Sequence, residues 1–218
     1  MTSARDEILE RIRSALADVP ADERPSDVPV ARDYARQAGL DPDHRVERFA
    51  HRLRDYNAEV RRVPVAGVSH AVDEACTAMG LAGVVVPRAL PEDWRPSTVT
   101  VTEDHDLSAD ALDGIDGAVT GCAVAIAETG TLVLDGQERS GRRLITLVPD
   151  HHICLVTVDQ IVGGVPEAIA AVAPAVRDRR APITLVSGPS ASSDIELSRV
   201  EGVHGPRHLL VLILDSRS

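Results

Sequence analysis

Glu128 is the only charged residue between Ala118 and Leu134, a stretch that reads AVTGCAVAIAETGTLVL. A carboxylate at the end of a long apolar run, just before a strand-like segment, serves either as a turn marker or as a group held for nucleophilic, acid or base chemistry. Partial burial there would favour its neutral, protonated form. Thr129, Gly130 and Thr131 follow it with two hydroxyls and a permissive backbone. A second candidate lies in SGPSASSDIE (187–196), where a β-branched run stops at Ser187-Gly188-Pro189 and Ser190, Ser192, Ser193 and Asp194 lead towards a helix-like segment. Free backbone N–H groups at a helix N-terminus, together with small hydroxyls, form an anion site. Ser193 and Glu196 also fit a helix-capping box, and the two readings are compatible. In open α/β sheets ligands sit outside the carboxyl ends of the strands, which is where this turn is expected.

Other groups are weighed in the same way. His204, in EGVHGP, lies between Gly202 and Gly205 just before an apolar strand. The glycines allow close approach of a ligand or another segment, and histidine titrates near neutrality; a structural hydrogen bond is the plainer role. Arg139, Arg142 and Arg143 cluster soon after AETGTLVL, where a guanidinium fork, Arg142 in particular, could take a carboxylate or phosphate. A solvated hairpin tip would look the same. His151, His152 and Cys154 lack any HxH, HExxH or CxxC spacing, so no metal site is expected; His152 and Cys154 share one strand face and read as a buried polar pair.

Composition narrows the chemistry. The 218 residues contain no lysine, so all 23 basic residues are arginine, which removes Schiff-base chemistry, pyridoxal phosphate attachment and the Walker P-loop. Cys76, Cys122 and Cys154 are too few and too scattered to hold an iron-sulfur cluster or a disulfide framework. A formal net charge of −11, with no aromatic residue beyond Trp94, argues against nucleic acid as a partner. No apolar run approaches the ~20 residues of a membrane span. The charged, amphipathic N-terminus is unlike a secretory signal, so a cytoplasmic location is expected.

The elements that must position these groups follow from periodicity. Residues 4–17 place Ile8, Leu9, Ile12, Ala15 and Leu16 on one helical face, and the proline-bearing segment 18–31 separates this arm from the body. Residues 1–41 thus form an arm and linker, and 42–218 the main domain. Its first helix, roughly Pro42 to Val60, buries Val46, Phe49, Leu53 and Tyr56. From about residue 60 short apolar runs alternate with helical stretches, as βαβ units and a mostly parallel sheet require. GTLVLDG, RLITLVPD and HICLVTVDQIVG read as consecutive strands. A helix spans roughly Pro166 to Asp178, and the strand PITLVSG, helix DIELSRV and strand HLLVLILD form a last βαβ unit.

The phrases IAETGTLVL (126–134), PDHHI (149–153), SGPSASSDIE (187–196) and GVHGP (202–206) resemble the signatures of the LUD domain, in particular of the lactate-utilisation protein C (LutC) family. The resemblance covers most of residues 43–218. It implies an α/β fold similar to the NagB/RpiA/CoA-transferase-like group: a Rossmann-like, open, mostly parallel sheet with helices on both faces. It also implies a part in oxidising L-lactate to pyruvate alongside two iron-sulfur proteins. The clusters would then reside on those partners, and this chain, binding no cofactor of its own, would hold a small anionic metabolite. AETG is similar in shape to the glutamate turn that supplies the nucleophile in related CoA transferases, so a free-standing acyl or CoA transferase using Glu128 is an alternative, as is a structural adaptor. Two departures stand out. DGIDGAVT (113–120) replaces a D-x-G-I-T pattern, and SASSD replaces S-x-T-A-D while keeping Asp194.

Overall fold

The structure, a computed structural model, describes residues 3–20, 22–27, 29–192, 200–202 and 205–215. The chain divides into two compact units, Met1–Tyr34 and Ala35–Ser218. In the first, helix α1 (Ala4–Ala15) starts at Ser3, whose hydroxyl accepts the Asp6 N–H while the Asp6 carboxylate accepts the Ser3 N–H. This reciprocal cap satisfies two orphan donors of the first turn. No residue of α1 is buried, and Ile8 and Ile12 lie on its exposed surface.

The second unit runs α2 (Pro42–Asp55), β1 (Glu59–Pro64), α3 (Val68–Ala78), β2 (Gly83–Val86), β3 (Thr100–Glu103), α4 (Ala109–Asp113) and β4 (Gly117–Gly121). It continues through β5 (Val124–Ile126), β6 (Thr131–Leu134), β7 (His151–Thr157), β8 (Ile161–Val162) and α5 (Val165–Arg179). The last elements are β9 (Thr184–Val186), β10 (Ala191–Ser192), β11 (Val200–Glu201) and β12 (His208–Asp215). Six strands make a wholly parallel sheet in the order β1-β12-β7-β4-β2-β3. A parallel sheet covered on both faces demands continuous apolar strands, which explains HLLVLILD. Leu209, Val211 and Ile213 face one core, and Leu210, Leu212 and Leu214 the other.

Helix α3 seals the second face with Val68, Val72, Ala75 and Cys76. On the first face lies α2, opened by the Asp41 cap and Pro42, which buries Val46, Phe49 and Leu53. The helices therefore lie on both faces, as the resemblance implied. A smaller sheet, ordered β8-β5-β6-β9, shares the α2 face through Ala125, Leu132 and Leu134. Its outer face carries α5, where Ala168 and Val172 pack on Val124, Ile126 and Val133.

Three expectations need correction. The first helix ends at Asp55, short of Val60, which belongs to β1, and Tyr56, expected on the helix's buried face, is exposed. RLITLVPD is not a strand: Arg143–Thr146 forms a single 3-10 turn, closed where the Arg143 side chain donates to the Thr146 carbonyl, with Ile145 buried against Val85 and Leu112. PITLVSG does not join the parallel sheet. Its strand β9 pairs antiparallel with β6, Leu132 opposite Val186. With Leu185 55 % exposed, so short a strand lacks the two buried faces that a place in the parallel sheet requires. Of the segment read as the helix DIELSRV (194–200), residues 194–199 lie outside the described residues, and Val200 begins strand β11.

Candidate functional site

The Glu128 turn joins β5 to β6 and is held from two sides. Ala127 N–H donates to the Val162 carbonyl at 2.9 Å and Glu128 N–H to the Gly163 carbonyl at 3.1 Å, tying the turn to the segment before α5. On the other side Gly130, at φ +64°, lies against α2 so closely that a Cβ there would be 2.6 Å from the Arg52 Cβ and 2.8 Å from its backbone. Glycine is thus required for both conformation and approach. The Glu128 side chain projects outward and is exposed, so the burial expected of it is absent. Its carboxylate lies at the first turn of α5, where a Cβ on Gly164 would be 3.3 Å from Oε2. The positive end of a helix favours a carboxylate there. Among the described residues no hydrogen bond or ion pair engages it.

Glu128, Thr129 and Thr131 line an open cleft of about 590 Å³. Arg52, Asp55 and Tyr56 form one wall, and Ile126, Val165 and Leu185 make it largely apolar. From its lip a chain of hydroxyls runs inward: Thr129 Oγ1 to Thr131 Oγ1 at 2.6 Å, then to Ser187 Oγ at 2.7 Å. Ser187 and Leu185 belong equally to a second cavity of about 230 Å³, which Arg143, Thr146, His152, Gly188, Ser190 and Gly205 help to line.

This second cavity lies beside the starts of β7 and β12, where His152 and Leu209 stand. The SGPS turn therefore sits by the amino ends of parallel strands and not, as expected, by their carboxyl ends. The cause is β9, which belongs to the smaller sheet. Gly188 adopts φ +152° and approaches Tyr56, where a Cβ would be 2.8 Å from the Tyr56 carbonyl oxygen. His152 is 2 % exposed, and its Nε2 is 2.8 Å from Thr120 Oγ1. Burial, aided by the nearby Arg143 charge, pushes its pKa down to about 4, so the ring is neutral at physiological pH.

The three clustered arginines separate. Arg139 lies over the Trp94 ring, 5.4 Å from its centroid. Arg142 grips the Asp104 carboxylate with two bonds, at 2.5 and 2.6 Å, and also donates to the Leu107 carbonyl. Burial alone would push the Asp104 carboxyl up, but the Arg142 guanidinium and the Leu107 N–H together hold it below the usual range. Arg142 borders a different cavity and is not brought to the site. Arg143 is: its Nη1 donates to the Thr146 carbonyl at 3.0 Å and hydroxyl at 3.1 Å.

Of the residues selected from sequence, Glu128, Thr129 and Thr131 thus share one cavity and Gly188, Ser190 and Gly205 its neighbour, while Gly130 is the hinge against α2. Ser192 pairs with Val200 across β10 and β11. Ser193, Asp194 and His204 lie outside the described residues. Asp116, in the departing DGIDG turn, is structural: its Oδ2 accepts the N–H groups of Ala82 and Gly83 at 2.7 and 3.0 Å, where β2 begins. Arg52 and Asp55 were missed, and Tyr56 was read as a buried helix residue, because nothing local in a helix end signals that a turn about 70 residues later packs there. Arg143 had been weighed as one of three arginines that could take an anion, with Arg142 preferred, and His152 as half of a buried polar pair. Among the described residues no group of three or more His, Cys, Asp or Glu could hold a metal ion, and no helix is long and apolar enough to cross a membrane.

A family model for the LUD domain matches residues 46–214. The lactate utilization protein C of Deinococcus radiodurans is 43 % identical over 97 % of this chain and 95 % of its own. That of Geobacillus thermodenitrificans is 27 % identical over 98 % of this chain and 97 % of its own. The crystal structure of a DUF162 family protein from Deinococcus radiodurans superposes with a TM-score of 0.70 at 37 % identity, covering 80 % of this chain and 99 % of that one.

Proposed function

The chain belongs to the LUD-domain family, within its lactate utilization protein C branch, and from that footing we propose that it is a component of the oxidation of L-lactate to pyruvate. In this reading it works in the cytoplasm beside iron-sulfur partner proteins that carry the electrons, while it binds no cofactor and holds a small anionic metabolite. The observation that supports it most is the near full-length similarity to a relative named for lactate utilization. Deletion of the gene is expected to abolish growth on L-lactate and to spare growth on pyruvate. Normal growth on L-lactate, with no redundant system present, would overturn the assignment.

Within that role the candidate site comprises the Glu128 cleft and its neighbour, joined at Ser187. Glu128→Gln keeps the shape of the side chain and removes its charge, so it is expected to impair complementation of the deletion strain without lowering the melting temperature. Full complementation would reduce Glu128 to a turn residue. One observation favours a second reading, a free-standing acyl or CoA transferase: the carboxylate is exposed in an open cleft and unengaged among the described residues. Capture of a glutamyl thioester on Glu128 after incubation with an acyl-CoA would establish that chemistry, and its absence under turnover conditions would remove it.

A further inference from the structure

The two adjoining cavities differ in their charge. The Glu128 cleft is bordered by two carboxylates, Glu128 and Asp55, beside Arg52, which lies 3.5 Å from Asp55. Among the described residues, the cavity of about 230 Å³ has no acidic side chain in its lining, although the whole chain carries 34 acids. The one formal charge among its described lining residues is Arg143. Thr146 holds one Nη of that guanidinium, and among the described residues no carboxylate lies within ion-pair reach of it. This contrasts with Arg142, Arg95 and Arg61, each closed on an acid at 2.5 or 2.6 Å.

We propose that this cavity is the anion-binding subsite, and that it takes the carboxylate of a short 2-hydroxy or 2-oxo acid on the Arg143 guanidinium. The proposal rests on the small-metabolite reading above and locates it. A guanidinium fork is the side chain best matched to a planar carboxylate, and the bond is strengthened by charge on both partners. Fixing one Nη on Thr146 orients the fork before any ligand arrives. Ser187 and Ser190 add hydroxyls to the same lining, which suit the hydroxyl or oxo group of such an acid. Leu209, Val186 and Pro206 add apolar lining for a short carbon chain.

His152 sets the charge. It is almost wholly buried, lines the cavity, and has its Nε2 engaged by Thr120. A neutral ring adds a polar edge but no second positive charge, so the site balances a monoanion. A phosphate dianion would leave charge uncompensated in a partly desolvated space. The cavity, of about 230 Å³, has room for an acid of about six heavy atoms.

The test uses the purified full-length chain titrated calorimetrically with L-lactate, pyruvate and inorganic phosphate near neutral pH. One or both acids should bind, with phosphate weaker by about tenfold or more, and Arg143→Gln should lose about tenfold in affinity, an amount typical of a charge-assisted pair. Arg143→Lys should recover part of that loss. Should Arg143→Gln melt early, the wild-type chain answers alone, since its Arg143 guanidinium NMR resonances must shift on addition of the acid that binds. The proposal is overturned if phosphate binds more tightly, if neither acid binds at tens of millimolar, if Arg143→Gln binds as wild type, or if those resonances stay still. Restored growth on L-lactate by a chain that binds neither acid would sink this proposal alone and leave the pathway reading standing. Binding by a chain whose gene is dispensable for that growth would do the reverse.

Discussion

Arg142 and Arg143 are consecutive and live in unlike surroundings. Arg142 neutralises a carboxylate that is only 7 % exposed, that of Asp104, while Arg143 faces a cavity with no acid among its described lining residues. Removing the first guanidinium leaves a buried charge without its partner, so Arg142→Ala should cost about 3 kcal/mol, read from the urea midpoint. The sign with pH is fixed by the direction of the Asp104 shift. A carboxyl held below its ordinary value of 3.8 contributes stability that is present above that value and lost as pH falls through the depressed one. The gap between wild type and Arg142→Ala should therefore close as the pH is lowered below 3.8. The sequence showed a cluster of guanidinium groups but could not choose among them, because the deciding neighbours, Asp104, Trp94 and His152, come from other strands and loops. Glu128 was legible as an isolated carboxylate in an apolar run. Its exposure was not, because that run is buried by α2 and the sheets while the turn tip projects beyond them.

At the scale of elements, the link between the site and its scaffold is the contact of the β5–β6 turn with α2. Gly130→Ala would place a Cβ 2.6 Å from another Cβ and hold a left-handed conformation against preference. The turn must then lift from α2, and a loss of about 2 to 4 kcal/mol is expected in thermal or urea unfolding. An unchanged midpoint would mean that the turn does not depend on this contact. Strands β12 and β7 and helices α2 and α5 were readable because each carries a long pattern tied to its burial: two-sided for the strands, a stripe for the helices. Strand β9 was readable as extended chain, yet its sheet was not, since three residues carry no signal of which partner they meet. For the same reason the placement of the SGPS turn at strand carboxyl ends was a sound rule applied to the wrong sheet.

For the molecule as a whole, all three cysteines are buried. Burial pushes the Cys76 thiol up to about 11, and contact with Cys154 together with burial pushes Cys122 well above its ordinary value. Thiolate is the reactive species, so the native chain should be nearly inert to Ellman's reagent near pH 8 and should release three equivalents once denatured. Prompt reaction of any native thiol would contradict this burial. A last consequence concerns time. Strand β1 has one neighbour in the parallel sheet, β12, and between Pro64 and His208 lies most of the chain. On a ribosome adding about 5 to 20 residues each second, β1 must wait on the order of ten seconds for the strand that completes it. Until then one edge of β7 is also bare. The nascent chain thus carries β1 unmatched through most of its synthesis and β7 half-paired from Thr157 until His208 arrives, and β12 closes both at once.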